Sequence, residues 1–140
     1  MKPFDQDLYD ENDKVAKEAV RDLIKYKWGF ESQEGEKHGV DLVIAGGSGV
    51  WYAEVERRHN WVGVFPYKTV HVPYRKKKFF DKFEETALFA VSKDLSQTMW
   101  ARGKDILASP VVNIDNRYMK NEPFFDVQVG LWKTVQLLPF

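Results

Sequence analysis

Three carboxylates crowd into the stretch DLVIAGGSGVWYAEVERR, residues 41–58: Asp41 at the head of one apolar run, Glu54 and Glu56 near the end of a second. A Gly-Gly-Ser-Gly turn at 46–49 separates the runs, and Arg57 and Arg58 follow directly. Two short apolar runs joined by such a turn predict a β-hairpin, 40–45 against 50–56. Strand side chains alternate, so Glu54 and Glu56 share one face while Ala53 and Val55 share the other. In antiparallel pairing, Asp41 and the Glu54/Glu56 end both lie away from the turn, and the three carboxylates can converge there. Like charges held together raise each other's pKa. A hard divalent cation relieves that conflict, and Mg²⁺ is typically held by one or two carboxylates with water and phosphate oxygens. Such an ion polarises a phosphodiester and lowers the pKa of a bound water. The same alternation also suits a half-buried strand whose glutamates simply face water. Spacing alone leaves both readings open.

Other groups cluster around this hairpin. Arg58 shares the Glu54/Glu56 face if the strand continues, where it would neutralise the carboxylates, grip a phosphate bidentately or form an ordinary ion pair. His59, beside Asn60 and Trp61, reads as a surface loop residue. His71, in TVHVPYRKKK, stands just before a basic run and is a candidate supporting group. That run, Arg75, Lys76, Lys77 and Lys78, opens a predicted helix, whose N-terminal amides also attract phosphate. Successive residues fan around a helix by about 100°, so the four cannot all reach one ligand. Arg75 and Lys78 share a side, and Phe79, Phe80 and Phe83 face the core. The run is a candidate nucleic-acid backbone contact or, more plainly, a solvated helix. Trp61, Phe65 and Tyr67 fall in a loop, where they either stack on unpaired bases or cover the edge of the sheet.

The elements that would position these groups follow from periodicity. Val15, Ala16, Ala19, Val20, Leu23 and Ile24 make one apolar stripe, predicting a helix over 12–27 with Asn12 or Asp13 as cap and Gly29 as stop. A short strand at 28–31, a polar loop at 32–39 and the hairpin follow. Residues 57–72 are irregular apart from a short strand at 69–72. Pro73 suits the first position of a second helix running to 83. Strands at 87–92 and 98–101 form another hairpin, and strand-like runs at 111–114, 124–129 and 133–137 complete a mostly β C-terminal half. Residues 1–140 read as one α/β domain.

Composition narrows the function. With 140 residues and 44% hydrophobic content, the chain supports a core without staples and is not disordered. The absence of cysteine excludes disulfide frameworks, thiolate catalysis and Cys-based zinc sites. Net charge is zero, 21 basic against 21 acidic residues, which argues against wholesale electrostatic binding of nucleic acid and leaves local patches to do it. The N-terminus has no apolar h-region and no run reaches 18 apolar residues, so a cytoplasmic protein without signal peptide or membrane span is expected.

The order helix, Asp-bearing strand, turn, then strand with Glu-x-Glu resembles the PD-(D/E)xK nuclease superfamily, the restriction-endonuclease-like fold. The matching residues are Asp41, 12 intervening residues, and Glu54-Val55-Glu56; the resemblance spans roughly residues 10–101. It implies a mixed β-sheet core flanked by helices, here with a β-rich C-terminal extension. It implies Mg²⁺ or Mn²⁺ held by Asp41, Glu54 and the backbone carbonyl of Val55, with Glu56 in the catalytic set where the family usually has lysine. Val40 replaces the family's proline, and Glu18 corresponds loosely to an acidic helix residue that some members add. The implied function is metal-dependent phosphodiester cleavage of DNA or RNA, with a homodimer as a possible assembly. The alternative is a non-catalytic member of the fold that binds nucleic acid or a protein partner. A glycosidase fits less well, since Glu54 and Glu56 lie on the same side of any sugar rather than flanking it.

Overall fold

The computed structural model describes residues 6–35, 39–47, 49–116 and 119–137, with side chains from residue 14 onward. The first helix, α1, runs Gln6–Trp28. It starts earlier than the stripe predicts, which places Asn12 and Asp13 inside it rather than at its cap. Nothing in the sequence between Gln6 and Asp13 breaks a helix. Ala16, Val20, Leu23 and Ile24 are buried as the stripe requires, whereas Val15, also counted in it, is exposed. Gly29, at φ 69°, ends the helix, its N–H donating to the Lys25 carbonyl at 2.9 Å.

Among the described residues nine strands follow: β1 Glu31–Gly35, β2 Val40–Gly46, β3 Gly49–Arg58, β4 Thr69–Pro73, β5 Thr86–Ser92, β6 Gln97–Arg102, β7 Val111–Ile114, β8 Glu122–Gln128 and β9 Lys133–Gln136. Two short helices, α2 Lys77–Lys82 and α3 Gly103–Leu107, lie after β4 and β6. The main sheet has the order β1-β2-β3-β5-β6-β9. Its pairs are antiparallel except β3–β5, which is parallel and holds Glu54 against Leu88. This is the mixed sheet with flanking helices that the resemblance implies. Every residue of β5 is buried, as a strand covered on both faces demands.

Several elements differ from the sequence-based expectation. The first strand lies at Glu31–Gly35 rather than 28–31, in a segment too polar to signal a strand. Its support is external: the ladder to β2 and the α1 residue Arg21, which donates to the Ser32 carbonyl at 2.8 Å. The C-terminal β-rich part divides between two sheets. Strand β9 completes the main sheet, while β7 and β8 join β4 in a three-stranded sheet. Pro73 closes β4, and a 3-10 turn at Tyr74–Lys76 precedes the shorter α2. Helix α3 carries too few residues for a periodic signal.

Two buried clusters sandwich the main sheet. One packs α1 on Leu42, Ile44, Ala53, Val55, Phe89 and Val91. The other joins the opposite face to the small sheet, α2 and α3 through Trp61, Val72, Phe80, Leu88, Met99 and Phe125. Gly103 sits inside this second layer. A Cβ there would lie 1.9 Å from Thr86 Oγ1 and 2.8 Å from Phe80 Cδ1. Gly103→Ala is therefore expected to destabilise by about 1–3 kcal/mol, the usual cost of overpacking, read as a lower urea midpoint at unchanged slope.

Candidate functional site

Strands β2 and β3 pair in a register that sets Leu42 opposite Ala53. One step further from the turn, Asp41 meets Glu54, and side chains take over from the backbone ladder. The Asp41 N–H donates to Glu54 Oε2 at 3.2 Å, and the Val55 N–H donates to Asp41 Oδ2 at 2.8 Å. Each carboxylate thus holds a backbone amide of the other strand, which fixes both heads at one end of the hairpin. Two lysines from separate elements bracket them. Lys17 of α1 lies 3.4 Å from Asp41 Oδ1, and Lys76, before α2, lies 3.8 Å from Glu54 Oε1.

Burial pushes the Glu54 carboxyl up to about 8; its hydrogen bond with Asp41 and the charge of Asp41 add to this, while Lys76 opposes it. The consequence for stability has a definite sign. In the unfolded chain Glu54 ionises near 4.5, so between that pH and about 8 the folded protein holds a proton the unfolded chain has released. Folding is fully supported below the lower value and loses stability as pH rises through the upper one. Wild type is expected to lose stability progressively from about pH 4.5 to 8, and Glu54→Gln to flatten that slope, in urea melts across the range.

Glu56 does not join the pair. It shares the Glu54 face, as alternation requires, but forms an ion pair with Arg58. Arg58 also donates to the His71 carbonyl at 2.7 Å, tying β3 to β4. Among the described residues, no group of three His, Cys, Asp or Glu side chains is placed to hold a metal ion. The expected convergence of three carboxylates is therefore a convergence of two. The physical reason is local: Arg58 stands two residues on along the same face and takes Glu56 as its ion-pair partner. His71 directs its imidazole to Asp126, 3.1 Å away on β8. Glu18 is exposed on α1, and its neighbour Lys17 is the α1 residue that reaches the pair.

The basic run divides by direction. Arg75 pairs with Glu122 at 3.1 Å, Lys76 with Glu54, and Lys77 with Asp81 one turn on. Beside Glu54 opens a cleft of about 410 Å³, lined by Gly39, Val40, Arg75, Lys76, Lys78, Phe79, Lys82 and Phe83. Lys77 is not among its lining residues. Lys82, which the sequence reading passed over, is; it lies four residues beyond Lys78 and so on the same helical side. That spacing was the available signal. Under Phe83, Tyr52 of β3 stacks at 4.0 Å and anchors the cleft wall to the main sheet.

Among the loop aromatics, Trp61 belongs to the core. Trp61 is fully buried and donates from Nε1 to the Gly63 carbonyl at 2.8 Å. Phe65 meets it edge-on at 5.6 Å and contacts Tyr67 in turn. Trp61 thus takes the covering role, while Tyr67 stays half-exposed.

No protein-family model matches the chain, and no curated protein matches it by sequence. Among solved structures it resembles Hjc, a Holliday junction resolvase from the archaeal hyperthermophile Archaeoglobus fulgidus. The two are 12% identical, the match covers 87% of this chain and 84% of that one, and the TM-score is 0.48. A likeness of that degree assigns no function. No helix among the described residues is long and apolar enough to cross a membrane.

Proposed function

We propose that this protein is a metal-dependent phosphodiesterase acting on nucleic acid, with Mg²⁺ or Mn²⁺ held by Asp41, Glu54 and the backbone carbonyl of Val55. One observation carries the reading: Asp41 and Glu54 are reciprocally locked, and Glu54 lines a cleft whose other wall is cationic. The donor set fits a hard divalent ion, being all oxygen and carrying two carboxylates. Burial and mutual repulsion work against both groups being charged without one. The bound ion supplies a polarised phosphoryl oxygen and a water of lowered pKa.

The chain's own residues do the rest. The Val55 N–H and Lys17 hold the Asp41 carboxylate in place, and the Asp41 N–H orients Glu54. Lys78 and Lys82 present charge to phosphate oxygens entering the cleft, with Arg75 at its margin. Phe79 and Phe83 wall the same space and keep water from one side of it. Glu56, held by Arg58, supports the arrangement by keeping β3 joined to β4.

The second reading is a non-catalytic nucleic-acid-binding module, favoured by the Glu56–Arg58 pairing at the position where the resembled superfamily usually has lysine. Calorimetric titration with Mg²⁺ and Mn²⁺ separates the two, using wild type and Asp41→Ala with and without a short duplex and a single strand. Saturable metal binding that the variant lacks supports the enzyme. Nucleic-acid binding without any Asp41-dependent metal binding leaves the module.

A further inference from the structure

We propose that Lys76 is an exchangeable cation, which faces the Glu54 carboxyl in the metal-free protein and moves to a phosphate oxygen when metal and nucleic acid bind together. The inference rests on the metal site proposed above and adds a coupling between its two ligands.

Among the described residues, Lys76 both pairs with a carboxylate of the site and lines the cleft, whereas Lys17 pairs with Asp41 without lining it. The Lys76 backbone belongs to the 3-10 turn Tyr74–Lys76, whose first two residues are tied to the small sheet. Tyr74 packs on Phe125 at 5.2 Å, and Arg75 is held by Glu122. The side chain alone crosses to β3. Its contact with Glu54 is a 3.8 Å ion pair, longer than a hydrogen bond, and both side chains are 16% exposed. A lysine ammonium on a four-carbon stem reorients without moving its backbone. Arg58 provides the contrast: it is fixed by Glu56 and by the His71 carbonyl together.

Two further observations say where the ammonium goes. Lys76 lines the same cleft as Lys78 and Lys82, so the alternative partner space is adjacent. A divalent ion on Glu54 and an ammonium on the same carboxylate repel each other, so loading the site drives Lys76 toward the nearest anion. Nucleic acid in the cleft supplies that anion. Metal and nucleic acid should therefore each raise the other's affinity, a coupling that linkage makes reciprocal.

The test is Mn²⁺ titration of wild type, Lys76→Met, Lys76→Gln and Lys77→Met, first alone and then with a single-stranded oligonucleotide. Lys77→Met removes the same charge from the neighbouring residue, which does not line the cleft. Without oligonucleotide, both Lys76 variants should bind Mn²⁺ about tenfold more tightly, the scale on which a cation at this distance biases a carboxylate; Lys77→Met should match wild type. With oligonucleotide, wild type should gain Mn²⁺ affinity and the Lys76 variants should gain little. Circular dichroism checks that each variant folds, and the glutamine variant serves if methionine collapses into the cleft. Unchanged or weaker Mn²⁺ binding in both Lys76 variants overturns the exchange while leaving an Asp41-dependent metal site intact. Mn²⁺ binding that is absent in wild type overturns the metal reading and the exchange with it.

Discussion

Asp41→Asn and Glu54→Gln are each expected to lower phosphodiester cleavage by about a thousandfold, the order of loss when a charge that stabilises the transition state is removed. The amides are chosen so that folding and chemistry separate. Asn keeps a carbonyl oxygen for the Val55 N–H, and Gln keeps one for the Asp41 N–H, the two bonds that close the end of the hairpin. Asp41→Ala removes the acceptor outright and strands the Val55 amide, at about 1–3 kcal/mol. The amide variants should retain wild-type secondary structure and nucleic-acid binding while losing metal binding. Glu54→Gln should also be the more stable at alkaline pH, because it cannot take on the charge that burial opposes. Cleavage assays in Mn²⁺ with linear, nicked and branched substrates measure the first effect. Wild-type rates in both variants would remove the carboxylate pair from the chemistry.

Trp61→Ala is expected to cost about 3–5 kcal/mol, the range for truncating a large buried aromatic. That is a large share of the total for a domain whose stability is typically about 5–15 kcal/mol. The indole joins the second buried cluster, and its backbone is held at both sides: Trp61 N–H to the Arg58 carbonyl at 3.2 Å, and the Lys93 N–H to its carbonyl at 2.8 Å. Losing the ring loosens the exit of β3 from the end of β5. Urea denaturation measures the cost. Trp61→Phe should lose less, with the deficit traced to the Gly63 carbonyl that Nε1 now satisfies. Single-strand affinity should be unchanged in Trp61→Phe. A selective loss of that affinity without a loss of stability would return the ring to a base-stacking role.

These two outcomes lie on either side of what periodicity reveals. The stripe on α1, the hairpin around 46–49 and the continuously apolar β5 were legible because each pattern repeats within a few residues, at the period of its own element. Asp41 and Glu54 belong to that group, since a strand–turn–strand with fixed alternation brings both to the end away from the turn. The parallel β3–β5 pairing also fits a chain that runs between them through β4 and α2.

Other features were settled by contacts between segments far apart in sequence. Strand β1 is polar and exists because β2 and Arg21 hold it. Helix α3 is too short to signal itself, and β9 is placed by the free edge of β6. Arg58 claims Glu56, so the third carboxylate leaves the pair, and Lys17 and Lys76 arrive from elements 24 and 22 residues from their partners. Alternation and helical spacing thus determined the two carboxylates and the strands that carry them. Which cations face them, which wall of the cleft is charged, and which aromatics are core were decided only when the two sheets packed, because charge pairing and burial depend on distances that local sequence does not encode.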